Sequence, residues 1–247
     1  MMEQPAPPTN ISEAGRLAGV FWEPRPVFQD LAEHPRFLVP LIILTILAVV
    51  YMASFSRVVG FESLTRRQME ANPRTAQLPP EQRERAIQMG LKFAVPMAYA
   101  GSVLGLTVTC LAVAGILLGS VNLLGGARVR YPQAFSVTCY SFLPNGLATI
   151  LALVVMLMKD PADFDLQHPL PLNLGAFLDK SAVGGFVYSL AGSLDLFSIW
   201  VMLLLALGFS TAAERMSFGK ALMLVLLPWA VYVLLKSSLA GLTGAAG

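Results

Sequence analysis

Charge is what this chain has least of. Of its 247 residues 13% are Asp, Glu, Lys or Arg, against 55% hydrophobic, where a water-soluble domain carries about 25% charged residues. So little charge cannot coat a water-facing surface of this size, and lipid is the expected solvent for much of the chain. The net charge is +2 and the basic residues form no single patch, which excludes a nucleic-acid surface. The only cysteines, Cys110 and Cys139, lie in apolar runs. No disulfide framework is expected, only buried or lipid-facing thiols. His34 and His168 stand far apart beside prolines, without metal-ligand spacing. Asp160, Asp163 and Asp165 in "KDPADFDLQHP" lack the turn glycine and closing glutamate of a calcium loop. Nucleophile elbow, P-loop and zinc motifs are missing. No catalytic residue, cofactor or metal is therefore expected, and the chain is not expected to be an enzyme. The polar, proline-rich start "MMEQPAPPTNISEAGR" has no basic segment leading into an apolar one, so no cleavable signal peptide is expected.

What the chain has is long uncharged runs. A hydrocarbon core near 30 Å needs about 20 apolar helical residues. Gaps between charges place five spans at about 37–56, 93–124, 132–158, 184–213 and 218–240, with a polar segment at 1–36 and a tail at 241–247. The expected fold is an all-α polytopic bundle of five transmembrane helices. The short links "GGARVR" and "AAERMS" make spans two and three, and spans four and five, antiparallel hairpins. A short helix is expected after span one, and another beginning near Pro80, where proline suits a first turn, should run into span two. Residues 159–181 are expected to be irregular.

Before span one, Asn10 with Glu13 resembles a capping box, and Ile11, Leu17, Ala18 and Phe21, then Val27, Phe28 and Leu31, recur at helical spacing. Two short amphipathic helices lying in the interface plane are expected, with Trp22 at headgroup level. Charge alone does not orient the bundle. Of the 17 basic residues, more fall on the face opposite the N-terminus, but most of those sit in the long first loop. Without that loop the count favours an N-terminus inside.

From span three onward, "GGARVRYPQAFSVTCYSFLPNGL", then "LDLFSIWVMLLLALGFS", then a last apolar helix, resembles the Yip-domain family of five-span membrane proteins. Its eukaryotic members interact with Rab GTPases. The resemblance covers roughly Pro24 to Ala240 and includes "EPRPVFQDLAEHPRFLVPL". It implies a cytoplasmic N-terminus. The "DLYGP"-like motif of eukaryotic members is absent, and Cys139 stands where their span three has glycine before Tyr140. The short N-terminus and "LDLFSIW" are similar to the bacterial branch, which implies a bacterial inner membrane. Rab binding is not carried over.

Asp195 is the one acidic residue inside an expected span. Three uses are open to it. It forms a packing hydrogen bond, with Tyr140, Ser141 and Asn145 as neutral partners. Or it helps to move protons, ions or lipid headgroups. Or span four starts later, near Leu194, and Asp195 is a helix-start acid. Pro144, followed by Asn145 and Gly146, should kink span three, and Pro228 should kink span five. Gly101, Gly105, Ala112, Gly115 and Gly119 fall on nearly one face of span two. Such a face suits close helix packing, expected within the chain, with dimerisation as the alternative. The functional expectation is a non-enzymatic structural, membrane-organising or adaptor protein. Its expected partners are lipids, other membrane proteins or a second copy. The alternative is a small transporter or lipid-moving protein using Asp195, Tyr140 and Asn145.

Overall fold

The computed structural model describes residues 11–71, 79–161, 164, 169–213 and 215–243. Its regular elements are helical: α1 (Glu13–Trp22), α2 (Pro24–Glu33), α3 (Leu38–Val58), α4 (Phe61–Ala71), α5 (Pro80–Gly119), α6 (Tyr131–Ser141), α7 (Leu143–Met158), α8 (Lys180–Gly192), α9 (Leu196–Ala212) and α10 (Phe218–Thr243). Ser12, rather than Asn10, caps α1 by accepting from the Gly15 N–H at 3.1 Å; Asn10 lies outside the described residues.

Four helical stretches are long and apolar enough to cross a membrane: Leu38–Val58, Pro80–Leu124, Tyr131–Met158 and Phe218–Leu242. Leu38, Ile42, Ile46 and Val50 form an exposed apolar stripe down α3. Only lipid makes such a stripe tolerable. α5 starts with proline in its first turn, where the missing N–H has no intrahelical partner to lose. It then runs 40 residues, about 60 Å, without ending at Pro96. It closes in a π turn at Ser120–Leu124 before Gly126, at φ +71°, redirects the chain. α4 folds back on α5, where Arg66 bonds Glu62 at 2.9 Å and Glu84 at 3.1 Å.

Tyr131–Met158 is broken at Phe142. α6 ends at Ser141 and α7 restarts at Leu143, with Pro144 in its first turn. Pro228 lies inside α10, which continues across it. The single span expected at 184–213 is instead two helices, separated at Ser193–Asp195, and α8 has a further non-helical residue at Gly184. α8 and α9 both run along α10: Ser189 meets Ser237, and Phe186 meets Gly241.

The core centres on α9, whose Val201, Leu204, Leu205, Ala206 and Phe209 are buried against α2, α6 and α10. The N-terminal helices belong to this core. Val20, Val27, Phe28 and Leu31 are fully or nearly fully buried in it. The apolar faces of α1 and α2, expected to lie in the interface plane, are instead covered by the bundle. Trp22 remains 83% exposed.

Candidate functional site

The break between α8 and α9 sets up polar ground beside the bundle's apolar core. A helix that stops leaves unpaired N–H and C=O groups, and away from water these need partners within the protein. Asp195 supplies them at the start of α9. Its Oδ1 accepts from the backbone N–H groups of Phe197 at 2.9 Å and Ser198 at 3.0 Å, and its Oδ2 accepts the Ser198 hydroxyl. The loop ahead of α8 supplies the rest. The Leu174 N–H donates to the Leu194 carbonyl at 3.2 Å, and the Leu196 N–H donates to the Leu172 carbonyl at 3.1 Å. Asn173 thus pairs with Asp195 in an antiparallel bridge, and its side chain caps the short 3₁₀ turn Leu174–Phe177.

Around this break lies a cavity of about 420 Å³, lined in part by Tyr51, Asn145, Thr149, Asn173, Asp195 and Ser198. Small-ligand sites fall in the range of roughly 300–1,000 Å³. Among its described lining residues Asp195 is the only carboxylate or cation. The cavity can hold a neutral or cationic polar group.

Of the four residues expected to cluster, Asn145 and Asp195 share this cavity. Tyr140 does not bond Asp195. Its hydroxyl donates to Glu13 Oε2 of α1 at 2.8 Å. Ser141 is fully buried, and its hydroxyl has no hydrogen-bond partner among the described residues. The correction has a simple cause: Asp195 meets its needs locally as a helix cap, so no donor from α6 is required.

Tyr140 belongs instead to an ionic network that ties the N-terminal helices down. Arg16 is fully buried and its Nε donates to Asp30, itself 6% exposed. Glu13 Oε1 accepts from Arg16 at 3.0 Å and from Arg36 at 3.1 Å. Burial pushes the Glu13 carboxyl up, but hydrogen bonds from Tyr140 and Arg36 and the Arg16 charge more than reverse this, leaving its pKa below the ordinary 4.5. The network was missed in the sequence, although a signal was present. Arg16 shares the apolar face of α1 with Val20, and Asp30 sits between Phe28 and Leu31 on α2. A charge of each sign on the buried stripes of two adjacent helices points to a pair.

Among the described residues the small-residue face of α5 meets no packing partner. A Cβ built at Gly101, Gly105, Gly115 or Gly119 would meet no atom within 4 Å, and Ala112 is exposed. Intramolecular packing through this face is therefore corrected. α5 uses Ser102, Cys110, Ala114 and Leu117 to bury itself instead.

Comparison with known families matches the Yip1 domain over residues 18–239. No curated protein and no solved structure matches the chain.

Proposed function

This chain belongs to the Yip1-domain family, and from that premise we propose a non-enzymatic, membrane-organising role. The protein is a membrane protein whose described residues form helices and no sheet, four of those helices being suited to crossing. In the proposed arrangement the fifth crossing is the interrupted pair α8–α9. The 17 residues of α9 reach about 25 Å, against a hydrocarbon core of about 30 Å, and α8 continues along the same partner, α10. Five crossings set the termini on opposite faces. We place the N-terminus in the cytoplasm, as the family resemblance implies, and the protein in a bacterial inner membrane, as the "LDLFSIW" form implies. The bundle holds α1 and α2 at one end and offers its outer helices to lipids and other membrane proteins.

The observation that carries this role is the use of Asp195. Oδ1 caps α9 by accepting two backbone N–H groups and Oδ2 takes the Ser198 hydroxyl, which is a structural task. Asn caps about as well as Asp. Asp195→Asn in the full chain, reconstituted in vesicles, should therefore keep fold and stability and change no ion or proton flux. Loss of a proton-coupled flux in that variant, with folding intact, would refute the proposal.

A second reading rests on the cavity itself. A helix broken beside a polar pocket is how several transporters hold solutes. In that reading Asn145 and Asp195, without Tyr140, bind a small polar solute or lipid headgroup. The same vesicle experiment separates the two.

A further inference from the structure

At the other end of α9 the chain turns into α10 through residues 213–217. A cavity of about 440 Å³ opens there between that turn and α2. Its polar lining includes Arg25 and Gln29 from α2, Ser210 and Thr211 from the last turns of α9, and Arg215 and Ser217 from the connection. Ser210 and Thr211 already donate to the Leu207 carbonyl. The arginines are uncommitted: neither the Arg25 nor the Arg215 side chain has an ion-pair or hydrogen-bond partner among the described residues. No Asp or Glu lines the cavity among those residues.

Each guanidinium carries five N–H donors in a planar fork suited to phosphate oxygens. The start of α10, whose Ser217 and Phe218 line the cavity, adds the positive end of a 26-residue helix. Lys220, bonded to the Gly125 carbonyl at 2.7 Å, adds a further positive charge on the first turn of α10. Arg215 has φ +63°, a region that costs an L side chain and suits glycine. The chain nevertheless keeps arginine there, with its side chain at the cavity.

Directly beyond the rim the surface becomes apolar. Phe218, Met223, Leu227 and Val231 are exposed in succession down α10. Paired cations above an exposed apolar helix match a phosphate head above acyl chains. We propose that this cavity binds a phosphate group, that of an anionic phospholipid, with Arg25 and Arg215 as its paired ligands. Free phosphate shares the chemistry but makes no use of the apolar face of α10. The cavity at Asp195 lies at the opposite end of α9, so this site stands or falls independently of the role proposed above.

The test uses the full chain purified in non-ionic detergent. It is titrated separately with short-chain phosphatidylglycerol, short-chain phosphatidylcholine and inorganic phosphate, followed by calorimetry and native mass spectrometry. Phosphatidylglycerol should bind saturably and more tightly than phosphatidylcholine. Arg25→Gln or Arg215→Gly should weaken it at least tenfold. Glycine relieves the left-handed backbone at 215, so Arg215→Gly should unfold no earlier than wild type, which separates lost binding from lost fold. Arginine-dependent binding of inorganic phosphate alone supports the site and identifies its ligand as free phosphate. Absence of saturable binding by either anion overturns the proposal, as does affinity for phosphatidylglycerol unchanged in both variants.

Discussion

A carboxylate that caps a helix and a carboxylate that relays protons respond differently to truncation, and Asp195 is the place to see it. Asp195→Ala removes the acceptor for two N–H groups and one hydroxyl and should lower stability by about 1 kcal/mol. Asp195→Asn should recover most of that, as read by SDS-driven unfolding in mixed micelles. The Arg16–Asp30 pair is a stiffer case. Both side chains are nearly inaccessible, and removing one partner strands a buried charge, at about 3–5 kcal/mol. Arg16→Met should therefore harm the fold more than the double variant Arg16→Met, Asp30→Leu. A double-mutant cycle with equal or additive losses would contradict the pairing. Glu13 makes the network sensitive to acid. Its pKa is lower in the fold than the ordinary 4.5, so its contribution is complete above about pH 4.5 and is lost as pH falls through the lowered value. Glu13→Gln should remove this acid-dependent step from melting curves taken across that window.

Helix elements differ in what they tolerate, and two glycines expose the difference. A Cβ at Gly208 of α9 would lie 2.4 Å from Val137 and 3.0 Å from Phe28, where α9, α6 and α2 meet. Gly208→Ala should cost about 1–3 kcal/mol through overpacking and should loosen α2, seen as faster proteolysis before residue 37. Gly105→Ala on α5 meets open space and should leave stability unchanged or raise it by up to about 1 kcal/mol through helix propensity. From the sequence alone, Gly105 had looked like the packing glycine. Intervals between charges and the proline at 80 were enough to locate α3, α5 and α10, because length and apolarity are one-dimensional properties. The start of α9 at Asp195 was one of the three readings the sequence left open, but nothing in the letters chose it or showed that a separate helix ends just ahead of it. The letters on both sides are apolar, and what ends the helix is a loop some twenty residues upstream whose backbone pairs with Leu194 and Leu196. The destination of α1 and α2 was also hidden. An amphipathic stripe fits a leaflet or a bundle equally well, and only the opposed charges Arg16 and Asp30 distinguished them. At the candidate site, Asn145 and Asp195 do share a cavity, while Tyr140 turns to Glu13. Which neutral donor reaches which acid depends on helix rotation, and composition carries no record of rotation.

At the scale of the whole molecule the decisive quantity is the number of crossings. The α3 helix and the α6–α7 pair run in one direction, since Leu44 meets Gly146 and Phe55 packs with Met156. α5 runs the other way. The Ser120 hydroxyl donates to the Leu224 carbonyl at 2.9 Å, so the end of α5 sits beside the start of α10, at the end of the bundle where α2 packs on the last turns of α9. From there α10 extends 26 residues, about 39 Å, away from that end. An α10 that starts beside α2 and crosses once must finish opposite it, which requires α8–α9 to have crossed back beforehand. Glu23 is exposed at the α1–α2 junction, Glu81 is exposed at the start of α5, and Leu242 is 84% exposed near the end of α10. Single cysteines at these positions can be probed with a membrane-impermeant thiol reagent in sealed vesicles. The native Cys110 and Cys139 are fully buried and should stay silent. Glu23→Cys should label from one side, Glu81→Cys and Leu242→Cys from the other. Labelling of Leu242→Cys from the same side as Glu23→Cys would mean that α8–α9 dips into the bilayer and returns, leaving four crossings.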